Sequence, residues 1–303
     1  MTATNRLTIN MTPTPTQAGF NTTAFTNAIQ KLLSEGFLDA ARQTEALAAS
    51  KGHYIGSVSS ELDLAKLLTI HPDMIATKNK VRSIVPDDGS VLILGESGTG
   101  KELIAQSLHG NRGPVSTGGI TIGRFVAINC PALSVDLMES ELFGHTAGAY
   151  TGAIRDRVGK FQYAGRGTLF IDEIGDMPMT MQAAILRVLQ EGRVTRVGAN
   201  EDEPATFRLV CATNKDLPKM IEQGLFREDL YYRISTFKLH TTPLRKRRCD
   251  IPIIAQAYMD GLKTKRKLTD ELHAALSIHP LPGNVRQLQQ IIRRFAVLNE
   301  IDL

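Results

Sequence analysis

The sequence has no apolar run approaching the ~18 residues that a membrane-spanning helix needs. Its N-terminus, MTATNRLTIN, lacks the basic start and apolar centre of a secretory leader. Cysteine is scarce: Cys130, Cys211 and Cys249 show neither C-x-x-C spacing nor a nearby histidine pair. They read as reduced, mostly buried thiols of a cytoplasmic protein, not as a disulfide framework or a zinc site. Charge of one sign is missing too, since 35 Lys and Arg against 31 Asp and Glu leave a net +4. That is too little to argue nucleic-acid binding by itself. What is present is ordinary: 42% hydrophobic and 22% charged residues over 303 positions. Such a chain can hold one large α/β domain and a smaller one.

The organising stretch is VLILGESGTGKE, Val91 to Glu102. Four apolar residues read as a buried parallel strand. They run into Gly95, Glu96, Ser97, Gly98, Thr99, Gly100 and Lys101, which satisfy the G-x-x-x-x-G-K part of a phosphate-binding loop. The glycines let successive N–H groups point at one centre, while the lysine and a helix N-terminus add charge and dipole of the sign a triphosphate needs. Glu102 stands where Ser or Thr would reach Mg²⁺. A second apolar strand, GTLFI, delivers Asp172 and Glu173 at its C-terminal end, the expected place for metal and water chemistry in an open parallel sheet. Asp172 would hold Mg²⁺, directly or through water, and Glu173 would polarise the attacking water.

Along the chain, residues 1–20 read as a mobile tail and 21–62 as a short helical segment of unreadable role. From 63 to 242 strands alternate with helices, which predicts a layered α/β sheet with right-handed crossovers. Residues 110–123 read as a loop, RFVAIN as a strand ending at Asn129, and 193–210 as a hairpin. The next strand, Arg208 to Ala212, ends in Thr213 and Asn214. From 243 to 303 no strand pattern remains. Asp250 and Thr269 are expected to cap helices, and Pro282-Gly283-Asn284 opens a third, making a small helical lid.

GESGTGKE, ELFGH…GAYTGA, GTLFIDEIGDMP, LRVLQEG, FREDLYYRI, PLRKRRCDI and LPGNVRQL occur in that order. Over roughly Leu68 to Leu298 they resemble the central AAA+ domain of bacterial enhancer-binding proteins, the ATPases that activate sigma-54 RNA polymerase. The family's own phosphate loop carries Glu after Lys, so Glu102 fits it. The resemblance implies an AAA+ P-loop NTPase fold with a parallel sheet and helical lid, and ATP and Mg²⁺ held between neighbours in a ring, usually of six. Lys101 would contact the β/γ-phosphates, and Asp172 and Glu173 would form the Walker B pair. Asn129 matches the residue that restrains the glutamate, and Thr213 and Asn214 match a sensor. Arg227 and Arg233 match arginines offered to the neighbouring site, and Arg286 matches a lid arginine that reads nucleotide state. Gly148, Ala149, Tyr150, Thr151, Gly152 and Ala153 match the loop that grips sigma-54, with Tyr150 where Phe is usual.

The residues alone leave other readings open. Arg227 and Arg233 could be solvated helix charges, Asn129 a strand-end cap, and Tyr150 a ring packed on its own subunit. Arg245 to Arg248 could be a nucleic-acid patch, although the family has a charged run there leading into the lid. Family members usually carry a helix-turn-helix after the lid. None is readable here, so no sequence-specific DNA binding by this chain is expected. His279-Pro280-Leu281-Pro282 replaces the family's Trp before the PGN turn. The principal expectation is an ATP-driven remodeller of sigma-54 holoenzyme. Its rival is a nucleotide-binding module that joins rings of a full-length relative without remodelling.

Overall fold

The computed structural model describes residues 63–110, 115–117, 120–262 and 264–298. The expectations for 1–20 and 21–62 lie outside the described residues. Those that are described belong to one compact unit. In chain order they form α1 (Pro72–Ile84), β1 (Val91–Leu94), α2 (Lys101–His109), β2 (Val115–Thr117), β3 (Ile120–Ile122) and β4 (Phe125–Asn129). Next come α3 (Val135–Phe143), β5 (Gly144–His145), β6 (Arg157–Val158), α4 (Lys160–Tyr163), β7 (Thr168–Asp172), α5 (Met179–Glu191), β8 (Arg193–Thr195) and β9 (Asp202–Pro204). β10 (Arg208–Thr213), α6 (Leu217–Glu222), α7 (Glu228–Ile234) and β11 (Phe237–His240) complete the α/β part. The lid helices are α8 (Ile251–Gly261), α9 (Asp270–Ile278) and α10 (Asn284–Leu298).

The main sheet is wholly parallel, in the order β11-β1-β10-β7-β4. β1 therefore has a neighbour on each side, and the chain leaves it through the phosphate loop at the carboxyl edge, where open α/β sheets bind ligands. Continuous apolar runs suit this position because both faces are covered. Val91 and Ile93 face one core with Ile104 and Leu108 of α2 and Met74 and Val81 of α1. Leu92 faces the other, with Met138 and Leu142 of α3, Ile185 of α5 and Leu230 of α7. The lid has its own core, in which Leu272, Leu276, Leu288, Ile292 and Phe295 meet. Leu281, from the segment that replaces the family's Trp, is 1% exposed and belongs to that core.

Several expectations change. Within 110–123, β2 and β3 pair antiparallel, so the segment is not only a loop. β11 was not expected: its four residues alternate in burial, a weaker signal than an apolar run, and it is recognisable through its pairing with β1. Thr269 caps α9, its Oγ1 accepting from the Leu272 N–H at 3.2 Å. Asp250 precedes α8 but makes no side-chain cap there, because its carboxylate is engaged elsewhere. Cys130 and Cys211 are buried and Cys249 is partly so. Burial pushes the Cys130 thiol up to about 12. No described helix is long and apolar enough to cross a membrane.

Arg208, 2% exposed at the start of β10, shows how the layers are pinned. Its guanidinium donates to the carbonyls of Leu108 (2.8 Å), Ile84 (2.9 Å) and Val85 (3.3 Å). These lie at the ends of α2 and α1, where helices leave carbonyls without intrahelical partners. Arg208→Leu strands those acceptors in the core. The expected loss is about 2–4 kcal/mol, read from the midpoint of urea unfolding at unchanged slope.

Candidate functional site

The phosphate loop is held from the lid side at four consecutive residues. Arg245 donates to both Glu96 carboxylate oxygens at 2.6 Å, and Asn284 Nδ2 reaches Glu96 Oε2 at 3.2 Å. The Arg245 bond, ahead of the other causes, keeps the Glu96 carboxyl below its usual value. Asn284 Nδ2 also donates to the Ser97 carbonyl (3.0 Å) and Arg286 to Ser97 Oγ (2.9 Å). The Gly98 carbonyl accepts from Val285 N–H at 3.0 Å, and the Thr99 carbonyl from Arg247 Nη2 at 3.1 Å. Gly98 has φ 75, and a Cβ there would lie 2.4 Å from the Gly283 carbonyl, so only glycine permits this approach. Thr99 turns inward, its Oγ1 2.7 Å from Thr241 Oγ1.

Lys101 opens α2 and is 6% exposed. Its ammonium donates to the Gly95 carbonyl (2.9 Å) and to Glu173 Oε1 (3.1 Å). Glu173 Oε2 accepts from the Asn214 backbone N–H at 3.1 Å. Glu173 has φ 52, a left-handed backbone that costs a non-glycine residue about 1–2 kcal/mol. Its neighbour Asp172 is half-buried at the end of β7. Burial first, then the Glu173 charge, raises the Asp172 carboxyl above its usual value, with Lys101 opposing. Asn129 pairs in register with Asp172 across β4 and β7. Its side chain makes no hydrogen bond to Glu173 among those of the described residues. Thr213 is fully buried, and its Oγ1 accepts from the Lys215 N–H at 3.1 Å.

Loop, strand ends and lid enclose a cavity of about 470 Å³. Gly98, Thr99, Gly100, Lys101, Glu102, Asp172, Glu173 and Arg286 line one part of it. Leu67, Leu68, Ile254 and Tyr258 supply an apolar wall, which the sequence reading missed because it joins the lid to a segment preceding β1. The size and the apolar–polar division are those of a small-molecule site. Cations and loop amides beside an apolar wall fit a nucleotide. Two carboxylates fit Mg²⁺, which takes one or two from protein and completes its shell with phosphate and water.

Arg227 and Arg233 do not line this cavity. Arg227 precedes α7, half-exposed, and pairs with Asp229 through Nη2 at 2.7 Å. Arg233 is exposed and donates to the Leu189 carbonyl at 2.7 Å. Arg247 and Asp250, 1% and 0% exposed, pair at 3.3 Å. Asp250 also accepts from Thr69 Oγ1 (2.6 Å) and the Ile70 N–H (2.7 Å). The basic run is thus divided: Arg245 on Glu96, Arg247 in the interior, and Arg248 on the Ser277 carbonyl at 2.5 Å.

Residues 67–240 match the family described as the Sigma-54 interaction domain, and 245–303 match the AAA+ ATPase lid domain. The chain belongs to the sigma-54 interaction domain family. It is 48% identical to the DNA-binding transcriptional regulator NtrC of Rhizobium meliloti over 73% of this chain and 45% of that protein. It is 45% identical to the Nif-specific regulatory protein of Azotobacter vinelandii over 76% of this chain and 44% of that one. The chain therefore spans less than half the length of these relatives. The crystal structure of NtrX from Brucella abortus in complex with ATP has TM-score 0.66 at 31% identity, over 80% of this chain and 53% of that one. The fold of this sigma-54 interaction domain is thus AAA+, a parallel-sheet α/β unit with a helical lid.

The domain's GAYTGA segment lies between β5 and β6. Gly148 (φ 82) and Gly152 (φ 104) face open space, and Gly148 N–H donates to the Ala153 carbonyl at 2.8 Å. Ala149 lies between them, half-buried beside Gly198, and Thr151 is exposed. Tyr150 is 45% exposed. Its ring meets His145 edge-on at 5.1 Å, and its hydroxyl lies 3.2 Å from Ser140 Oγ. The tyrosine is thus packed in part on its own chain and in part exposed. Next to it Ile154 is 92% exposed.

Because the Arg247–Asp250 pair is dry, removing one member leaves an uncompensated charge. Asp250→Ala is expected to cost about 3–5 kcal/mol. Arg247→Met with Asp250→Leu should cost less than that single change, as measured by urea unfolding of both variants.

Proposed function

We propose that this chain hydrolyses ATP between neighbouring copies of itself in a ring, and uses the Gly148–Ala153 loop to remodel sigma-54 RNA polymerase holoenzyme. The observation that carries the hydrolytic part is the meeting of Lys101 and the Asp172–Glu173 pair at the polar end of one cavity. Family membership, and nucleotide complexes of a structural relative, support the same reading. Magnesium ATP supplies the phosphoanhydride whose hydrolysis would drive the cycle. The chain supplies the rest. Loop amides of Gly95 to Gly100 and the Lys101 ammonium hold phosphate oxygens. Asp172 would hold the ion, directly or through water, while Glu102 offers no hydroxyl. Glu173 orients water and takes its proton.

In the described arrangement Glu173 is already held, by Lys101 and by the Asn214 N–H. Asn129, one strand away, is a further restraint if Glu173 swings towards β4. Thr213 is buried, so the exposed Asn214 carries the sensing role, with Arg286 facing the cavity from the lid. Leu67, Leu68, Ile254 and Tyr258 shelter the base. Arg227 and Arg233 do not line their own chain's cavity, which favours their use in a neighbour's. Gly148 to Ala153 offer an exposed aromatic edge, and rings gain contact area for little lost freedom.

An arginine supplied in trans can be worth ~10³-fold or more in rate. ATPase activity per subunit should therefore rise with protein concentration. Arg227→Ala and Arg233→Ala should bind ATP yet barely turn it over. Flat specific activity across a dilution series, with both variants active, rules out the shared site. Glu173→Gln should keep ATP binding and lose turnover, whereas Lys101→Ala loses both.

For the loop, Tyr150→Ala and Thr151→Ala should leave hydrolysis near normal but lose capture of sigma-54 by the ADP–aluminium fluoride form on native gels. Tyr150→Phe should retain capture. Capture by Tyr150→Ala, or loss of its ATP turnover, removes the loop from this role.

A further inference from the structure

Gln182 is a fully buried amide in the first turn of α5, among Met181, Ile185 and Leu186. Packing alone would be met there by leucine, and burying an amide costs free energy unless it is bonded. Its bonds go to two separate places. Nε2 donates to the Met177 carbonyl (2.8 Å) and the Leu225 carbonyl (3.2 Å), and Oε1 accepts from the Arg227 N–H (2.8 Å). Two carbonyls at one end and an N–H at the other leave a single orientation of the amide that satisfies all three.

Both places matter to the site. Met177 closes the turn that follows Glu173: the Asp176 N–H donates to the Glu173 carbonyl (2.9 Å) and the Met177 N–H to the Ile174 carbonyl (3.1 Å). Arg227 stands at the start of α7, with no side-chain cap of its own. Phe226, 2% exposed, fixes the residue before it in the core. The same helix α5 supplies the Leu189 carbonyl that receives the Arg233 guanidinium. Helix α5 is thus a strut between the carboxylate turn and both outward arginines, and Gln182 is its side-chain tie.

We infer that Gln182 is a positioning residue that ties the backbone of Arg227 to the turn behind Glu173, so that the arginine a subunit offers its neighbour is set by that subunit's own nucleotide site. This rests on the proposed role of Arg227 in a neighbouring site. Gln182 itself touches neither phosphate nor water in that role. Its loss acts through placement of the guanidinium, and a misplacement of about 1 Å can cost ~10²-fold in rate.

Gln182→Met keeps the volume and removes all three bonds. It is expected to bind ATP within about 3-fold of the parent and to lose at least ~10-fold in kcat. Gln182→Leu, which also removes all three bonds at similar volume, carries the same mixing test if the methionine variant does not fold. Mixing separates positioning from mere support. Glu173→Gln subunits bind ATP without turning it over and present an intact Arg227, so they should restore turnover in Gln182→Met pockets. Arg227→Ala subunits should not. Gln182→Met combined with Arg227→Ala should be no slower than Arg227→Ala alone. Full activity of Gln182→Met, or a loss of affinity and turnover together that Glu173→Gln subunits do not restore, overturns the inference. If Arg227→Ala itself turns over normally, the reading of Arg227 has failed, and that result is distinct from a failure of Gln182 alone.

Discussion

The Arg247–Asp250 ion pair is the junction on which the arrangement of sheet, loop and lid depends. Its guanidinium reaches the Thr99 carbonyl in the phosphate loop and the Thr242 carbonyl just past β11. Its carboxylate takes the Thr69 hydroxyl and the Ile70 and His71 amides ahead of α1. Three chain segments, at 69–71, 99 and 242, therefore converge on two side chains with almost no contact with water. A buried pair is not by itself stabilising, since desolvation opposes the attraction. What it fixes is geometry: a loop amide cage cannot hold its curl if the carbonyls on its outer side are free to rotate. Burial draws the guanidinium below its ordinary value, and the Asp250 charge opposes that shift.

A second layer of ties, from Asn284, Val285 and Arg286, binds the same loop to the start of α10. Asn284 sits at φ 53, a left-handed conformation that asparagine tolerates better than most residues. Its Oδ1 accepts from the Leu244 N–H at 2.7 Å while Nδ2 serves the loop. One amide thus joins the end of the α/β part, the lid and the phosphate cradle. Lid and loop move together or break these bonds, which gives physical content to a lid that responds to what the loop holds.

Much of this was legible in the sequence, for identifiable reasons. VLIL, TLFID and RLVCAT are apolar throughout because both sheet faces are covered, and such runs are hard to mistake when glycine or carboxylates follow. The glycines of 95–100 and the carboxylates of 172–173 announce their chemistry by spacing. What was not legible depended on distant partners. Asp250 precedes a helix and looks like its cap, yet residues 69–71 compete for the same oxygens and win. Arg245 to Arg248 look like one patch, but Arg245 turns to a loop carboxylate, Arg247 to the interior and Arg248 to a helix carbonyl. FKLH alternates and is short, so β11 becomes evident only beside β1. The Gln182 tie is invisible locally, because nothing in MTMQAAILRVLQE indicates which face of the helix meets residue 227.

The loop at 148–153 shows how weak a local bond can be while still placing a functional edge. Tyr150 is tied to its own chain by hydroxyl contacts with Ser140 Oγ (3.2 Å) and His145 Nδ1 (3.4 Å) and by an edge-on ring contact with His145. Each is worth ~1 kcal/mol, close to the thermal scale. A partner surface that covers the exposed half of the ring and the bare Ile154 side chain can exceed that total by burial alone. Ser140 lies on α3, which begins six residues after Asn129, and Asn129 is the register partner of Asp172. On the proposed reading, a displacement at the strand ends would therefore pass along α3 to the loop's own anchor. The glycines with empty surroundings let the tip move without straining the hairpin that carries it.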